Sequence, residues 1–462
     1  MNSVVNSERQ ESELRKELTV LDATSIVVGT IIGSAIFLIP STVATLVGSP
    51  SLVLVVWVVG GILTVFGALS LAELGSMYPG AGGLYVYLRE TYGPLAAFLY
   101  GWGLLAMIHS GGIAGLALGF GVYFGEIFGL ATAGQKAVAV SCVVLLTIVN
   151  SLGIRVGKFT QNIVTVAKVG CLLGMIGLLM GHGARTGPLG KALHAPLFVG
   201  SWYSVGAGLI AVLWAYEGWH VVSFTAGEMR RPTIDLPRSL IIGTGIIGSV
   251  YLLANVSYYM VLTPDEIRSN PAVATAALTK SVGAEASYLI ASLILVSVLG
   301  SMNAMVLTGP RVYYAMAKDG AFFKAFGVTS KRFSTPNLGL WVQGLWTCAL
   351  CCSGTYQQLL MDVIFTAWIF YGLAVAGVIV LRRCKPALQR RFRVPGFPFV
   401  PVIFCAAALG VAVSAIAESP KRALLGAGIL LTGIPLFMRF RRVAARNVER
   451  TEPESAPLRL QS

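Results

Sequence analysis

The chain has 462 residues, of which 55% are hydrophobic and only 12% charged, and its formal net charge is +14. Soluble domains carry about a quarter charged residues, so an ordinary globular enzyme is excluded. Apolar runs recur along nearly the whole length with no linker between them, which predicts a single all-α polytopic membrane domain.

Residues 1–19 are polar and mix Glu8, Glu11, Glu13 and Glu17 with Arg9, Arg15 and Lys16. No small-residue cleavage site follows at the usual distance, so the stretch reads as a tail and the first apolar segment as retained. Transmembrane segments are predicted at 20–46, 49–77, 94–128, 135–153, 159–181, 201–229, 237–263, 284–316, 337–353, 356–382, 399–417 and 422–439, twelve in all. The third and eighth exceed one bilayer crossing and are expected to tilt or project. The membrane domain then covers 20–440, and 441–462 forms a second tail whose end lacks apolar periodicity and is expected to be mobile.

An even number of spans places both tails on one side. The loops and tails of that side hold 26 of the 34 Lys and Arg residues, among them Arg89, Arg155, Lys158, the run from Arg382 to Arg393 and the cluster from Arg439 to Arg459. The opposite loops hold Lys136, Arg185, Lys191, Arg268, Lys280, Lys421 and Arg422. Basic loops stay in the cytoplasm, so a cell (inner) membrane protein with both termini cytoplasmic is expected. The basic residues sit in short loops between spans, where orientation and anionic lipid explain them better than nucleic acid.

The seven cysteines lie mostly in apolar runs, and Cys348, Cys351 and Cys352 have no His or carboxylate beside them. Core packing is expected there, with neither disulfide nor metal site. No nucleophile stands with a base, and no soluble catalytic domain is attached, so no catalytic residues and no cofactor are predicted.

Two spans carry interruptions. In the first, Gly29-Thr30-Ile31-Ile32-Gly33-Ser34-Ala35-Ile36-Phe37 precedes Pro40. Close helix packing explains such small residues; an unwound stretch explains them too, and its freed amides would face an anion such as a carboxylate. In the sixth, Trp214-Ala215-Tyr216-Glu217-Gly218-Trp219-His220 places a carboxylate at membrane depth, where ionisable groups are costly and functional by default. A protonated, hydrogen-bonded Glu217 is the alternative. Lys168 lies about two turns inside the fifth apolar run. Either it snorkels to the interface, or its ammonium meets carbonyls and hydroxyls within the protein.

These residues resemble the amino acid–polyamine–organocation superfamily, and within it the bacterial relatives of the L-type amino acid transporters. The resemblance rests on Val28–Phe37, on Pro79–Glu90 (PGAGGLYVYLRE), on Ala215–Trp219 (AYEGW) and on Gly309–Gly320 (GPRVYYAMAKDG), in the family's order. It implies a LeuT-like fold with 12 transmembrane helices, a 5+5 inverted repeat over about 20–181 and 201–382, and two extra helices at 399–439. It implies a small-molecule amino acid substrate, with amides around Ile32, Gly33, Ser34 and Ala35 for its carboxylate. Carbonyls from Ala215 to Trp219, centred on Tyr216, Glu217 and Gly218, would hold the amine. Lys168, with Ser297 as a neighbour, matches a fifth-span lysine that stands in for a sodium ion.

The sequence departs from the family in two places. Ala35 replaces a usual glycine, so a methyl group enters the carboxylate stretch. Glu217 adds a negative charge near the amine position, which favours a cationic or amine-rich substrate. The 126–136 loop has no cysteine, so no heavy-chain subunit is expected. Trp202, Trp214 and Trp219 are candidate pocket or gate residues, with Trp219 preferred; His109 and His220 are candidate proton carriers. Asn303 and Ser297 are candidate partners for Lys168 or helix–helix bonds, and Glu73 and Glu228 should pair with cytoplasmic basic loops.

Overall fold

The computed structural model describes residues 14–186, 189–190, 201–283, 285–353, 356–418 and 420–451. Most of the N-terminal tail, the end of the C-terminal tail and Lys191 lie outside these residues. Among the described residues the only pairing of extended chain is an isolated parallel bridge between Leu18 and Met229. Everything else of regular structure is helical.

The first span enters the membrane through a reciprocal cap. The Thr19 hydroxyl accepts the Asp22 amide, and the Asp22 carboxylate accepts the Thr19 amide at 2.8 Å. Two of the four orphan donors of the helix start are thereby satisfied. The helix stops at Ile31, resumes at Ala35 and runs to Val47, with the two halves bent by 48°. The sixth span is broken as well. Trp202–Ala215 gives way to a turn over 216–220 and then to a tight helical stretch, Val221–Glu228.

The remaining segments are helical where the apolar runs lie. Among the described residues nine helices are long and apolar enough to cross a membrane, and the bent first pair makes ten. The other two of the twelve predicted spans are short: Trp202–Ala215 stops at its break, and Asn337–Ser353 has 17 residues. The third span, Pro94–Phe128, has 35 residues and contains a wider turn at Leu104–Ile108. At 1.5 Å per residue it is longer than one crossing of about 30 Å requires.

The broken spans are clasped by their neighbours through small residues. A methyl group on Gly60 of the second span would lie 2.4 Å from Val212 of the sixth; one on Gly243 of the seventh would lie 2.5 Å from Val27 of the first. Such backbone-close contacts are how helices associate in lipid. Between the seventh and eighth spans, the short helices Pro264–Ser269 and Val273–Val282 pack on the second half of the first span. There Ser41 donates to the Arg268 carbonyl, and Arg268 donates to the Gly48 carbonyl.

Ion pairs tie the ends carrying the basic loops. Glu228 and Arg311 form a fully buried two-armed pair at 2.7 and 2.9 Å, and Arg311 also donates to the Leu307 carbonyl. Glu73 accepts two bonds from Arg382 and the Val394 amide, with Arg390 3.4 Å away. Asp22 accepts from Lys158 at 3.0 Å and from Asn162 at 2.7 Å, while Glu17 accepts from Arg155. Every cysteine is a free thiol, and the described residues contain no group of His, Cys, Asp and Glu able to hold a metal.

Removing one partner of a buried pair strands the other charge, at a cost of about 3–5 kcal/mol. Arg311→Met should therefore lower the thermal unfolding midpoint of the purified protein sharply, and adding E228Q should restore part of the loss. An unchanged midpoint in Arg311→Met would remove this pair from the account of stability.

Candidate transport site

The break in the first span leaves carbonyls without helical donors. At membrane depth such groups must be satisfied inside the protein. Lys168, fully buried, supplies the donors: its ammonium contacts the Gly29 carbonyl and donates to the Ile32 carbonyl at 2.7 Å. It also reaches the Ser297 carbonyl at 3.2 Å and the Ser301 hydroxyl at 3.4 Å. The snorkelling alternative does not apply to this geometry.

The eighth span completes the clasp. The Ser297 hydroxyl lies 2.9 Å from the Ile32 carbonyl and 3.2 Å from that of Gly33. Ser301, one turn further, has its hydroxyl 3.1 Å from Gly29 O and 3.0 Å from Ile32 O. Tyr251 of the seventh span joins the two breaks. Its hydroxyl sits 2.9 Å from the Ile31 carbonyl and 3.3 Å from the Ala215 carbonyl. Asn303, the other predicted partner of Lys168, instead bonds Asn150 and Gln161, so it links helices.

Between the breaks lies a cavity of about 120 Å³, room for several water molecules. The first span lines it with Thr30, Ile31, Gly33, Ser34 and Ala35, and the sixth with Trp214, Ala215, Glu217, Gly218, His220 and Val221. The third span adds Ile108, His109, Gly112 and Leu116; the eighth adds Ser301 and Met305; the tenth adds Ala367, Trp368 and Tyr371. Ser34 and Ala35 open the second half-helix. The unpaired amides of a helix start and the positive end of its dipole therefore meet the cavity.

Of the predicted site residues, Gly33, Ser34, Ala35, Ala215, Glu217 and Gly218 are brought together on this wall. Ile32, Tyr216 and Trp219 are not among the lining residues. Ile32 takes part through its carbonyl. Tyr216 turns away, its hydroxyl 3.3 Å from the Trp57 carbonyl and its ring 5.1 Å from that of Tyr251. Trp219 is buried behind the cavity against Tyr371 and Phe404. Trp214 and the unpredicted Trp368 line the cavity instead, and Trp202 is 76% exposed. Lys168 and Ser297 lie outside the lining, next to the break.

The Glu217 carboxylate accepts the Tyr371 hydroxyl at 2.7 Å, while its second oxygen, Oε2, is buried without a protein partner. The Tyr371 oxygen is also 3.2 Å from His220 Nε2, and His220 Nδ1 faces Glu217 at 3.7 Å. His109 is separately engaged, its Nε2–H donating to the Met305 carbonyl at 2.8 Å. The positioning residues Ser301, Tyr251 and Tyr371 were not predicted. Only Ser301 left a signal, since it stands four residues after Ser297 and so on the same helix face.

Gly218 holds the sixth-span turn at φ +111°, and a methyl group there would lie 2.6 Å from Thr30 of the first span. The conformation and the contact both exclude a side chain. Gly218→Ala should therefore cost about 1–3 kcal/mol in backbone strain and lower the unfolding midpoint. A wild-type midpoint would contradict this geometry of the turn.

A family model described as "Amino acid permease" matches residues 18–434. The chain is 31% identical over 434 residues to the serine/threonine exchanger SteT of Bacillus subtilis (strain 168), covering 93% of this chain and 97% of that one. It is 32% identical over 427 residues to the human b(0,+)-type amino acid transporter 1, covering 90% and 86%. It is 31% identical over 440 residues to the mouse large neutral amino acids transporter small subunit 2, covering 92% and 81%. The all-helical, polytopic architecture with two broken spans is the LeuT-like fold that the sequence resemblance implied, and this chain belongs to the amino acid permease family of membrane transporters.

Proposed function

We propose that the chain is a sodium-independent secondary transporter of small, mainly neutral amino acids that works by alternating access. The observation that carries this reading is the Lys168 ammonium on the carbonyls of the first-span break, beside a cavity shared by both breaks. A fixed ammonium does there what a bound cation would do, so no sodium ion is required. The amides from Ile32 to Ala35 receive the substrate carboxylate, and the carbonyls around Tyr216 receive its amine. The cavity of about 120 Å³ suits a small side chain, and the Ala35 methyl on its wall narrows the carboxylate end. The name of the Bacillus subtilis relative, a serine/threonine exchanger, supports exchange as the mode.

The same reading places both termini in the cytoplasm of a cell (inner) membrane, because the basic loops lie on that side. It divides the domain into repeats of about 20–181 and 201–382, each opened by a broken span, with two further helices at 399–439. No heavy-chain subunit belongs to it, since the 126–136 loop offers no cysteine.

A second reading, transport of cationic amino acids or amines, is favoured by one observation: Glu217 Oε2 is not paired with a protein donor. An ammonium or guanidinium on the substrate would supply one.

Counterflow into proteoliposomes of the purified protein tests both. Labelled neutral amino acids such as serine, alanine or leucine should accumulate against an internal pool equally with and without sodium. Absence of accumulation across a panel of amino acids and amines would reject the transport reading. A strict sodium requirement would reject the role given to Lys168. E217Q should weaken any lysine or arginine exchange at least tenfold more than serine exchange; an unchanged profile removes the second reading.

A further inference from the structure

With Glu217 ionised, the hydrogen bonds around it lead to one proton count. Tyr371 has one hydroxyl proton, and at 2.7 Å it is given to Glu217 Oε1. The 3.2 Å contact between the Tyr371 oxygen and His220 Nε2 then needs its proton from Nε2. A neutral imidazole carries one N–H, so His220 Nδ1 is left with a bare lone pair. Nδ1 has no hydrogen-bond partner and faces Glu217 Oε1 at 3.7 Å, while Glu217 Oε2 is likewise unpartnered. His220 is 97% buried, with a relative exposure of 3%. Two acceptor groups are thus aimed at each other on the cavity wall, and the cluster is one proton short.

Among the described residues the surroundings bring no competing positive charge. The third span presents the imidazole of His109, whose Nε2–H is committed to Met305, and the hydroxyl of Tyr100. The first and eighth spans line the cavity with Thr30, Ser34, Ser301 and Met305, none of them ionisable near neutrality. The tenth contributes Tyr371 itself. The Lys168 ammonium is occupied by carbonyls and the Ser301 hydroxyl on the far side of the first-span break. A carboxylate left in this state at membrane depth is costly. Either a proton or a cationic group of the substrate relieves it.

We propose that Glu217, His220 and Tyr371 form a proton-binding site that fills when a neutral amino acid occupies the cavity and empties when a cationic one does. The proton comes from water and adds to Glu217 or to His220 Nδ1, bridging the two; the Tyr371 hydroxyl keeps its own proton throughout. A substrate ammonium or guanidinium takes that place and returns the proton to water. Both kinds of loaded carrier then have the same charge in the cluster, so exchange of a neutral for a cationic amino acid moves one proton the opposite way to the cation. The proposal rests on the amino acid reading of this cavity.

Calorimetric titration of the full-length purified protein tests it, with serine, leucine and arginine as ligands in two buffers of different ionisation enthalpy. Serine or leucine should bind with uptake of about one proton, and affinity should fall by up to about tenfold per pH unit at alkaline pH. Arginine should bind without proton uptake, and failure to bind it overturns the proposal. In E217Q the proton uptake with serine or leucine should vanish.

Binding of the neutral ligands without proton uptake by the wild type overturns the proposal, whatever the variant does. So does arginine binding with a proton taken up, or undiminished proton uptake in E217Q. Counterflow on the same preparation separates the two levels: exchange of a neutral for a cationic amino acid without a linked proton rejects only the proton site, whereas no exchange with any ligand rejects the transport reading beneath it.

Discussion

The structure depends on one exchange of unsatisfied groups inside the membrane. A helix broken at Ile32 leaves carbonyls that lipid cannot satisfy, and a lysine buried in the fifth span has an ammonium that lipid cannot solvate. Lys168 placed on Gly29 and Ile32 satisfies both at once. Ser297 and Ser301, one turn apart on the eighth span, take up the remaining bonding capacity. The unwound stretch is therefore a braced element, held from the fifth and eighth spans, with its amide-bearing start turned to the cavity. Tyr251 then carries the constraint across to the sixth-span break.

A second set of polar contacts secures the same helices at the ends that carry the basic loops. Asp22 and Lys158 join the first span to the fifth, Glu228 and Arg311 join the sixth to the eighth, and Glu73 joins the second to the tenth. The first–fifth pairing repeats the one that Lys168 makes at the break, and the other two add helix pairs that are not bonded there. Carboxylates there offset part of the basic excess of those loops and tie the helices to one another. The isolated bridge between Leu18 and Met229 brings the approach to the first span alongside the end of the sixth.

Much of this was legible in the sequence because the informative residues are rare in their surroundings. A lysine, a glutamate and a cluster of glycines stand out in long apolar runs, and they marked Lys168, Glu217 and Gly29–Ala35. The pairing of Glu73 and Glu228 with basic partners followed from their places near span ends. Aromatic residues carried no such signal. Tyr251, Tyr371 and Trp368 look like any other packing residue, yet the first bridges the breaks and the other two line the cavity. The direction of Tyr216 and Trp219 was also hidden, since the 216–220 turn has no helical period from which to assign a face. The ninth segment, read at 337–353, is helical over Asn337–Ser353, and the sixth helix stops at Ala215, inside the interruption read at 214–220.

The central claim is that Lys168 holds the first-span break in its shape. Hydrogen–deuterium exchange over residues 26–38, compared between the wild-type protein and a folded Lys168→Ala variant in the same detergent, tests it most directly. The account predicts faster exchange across the break in the variant, with protection elsewhere in the spans preserved. Equal protection of that segment in both proteins would contradict it.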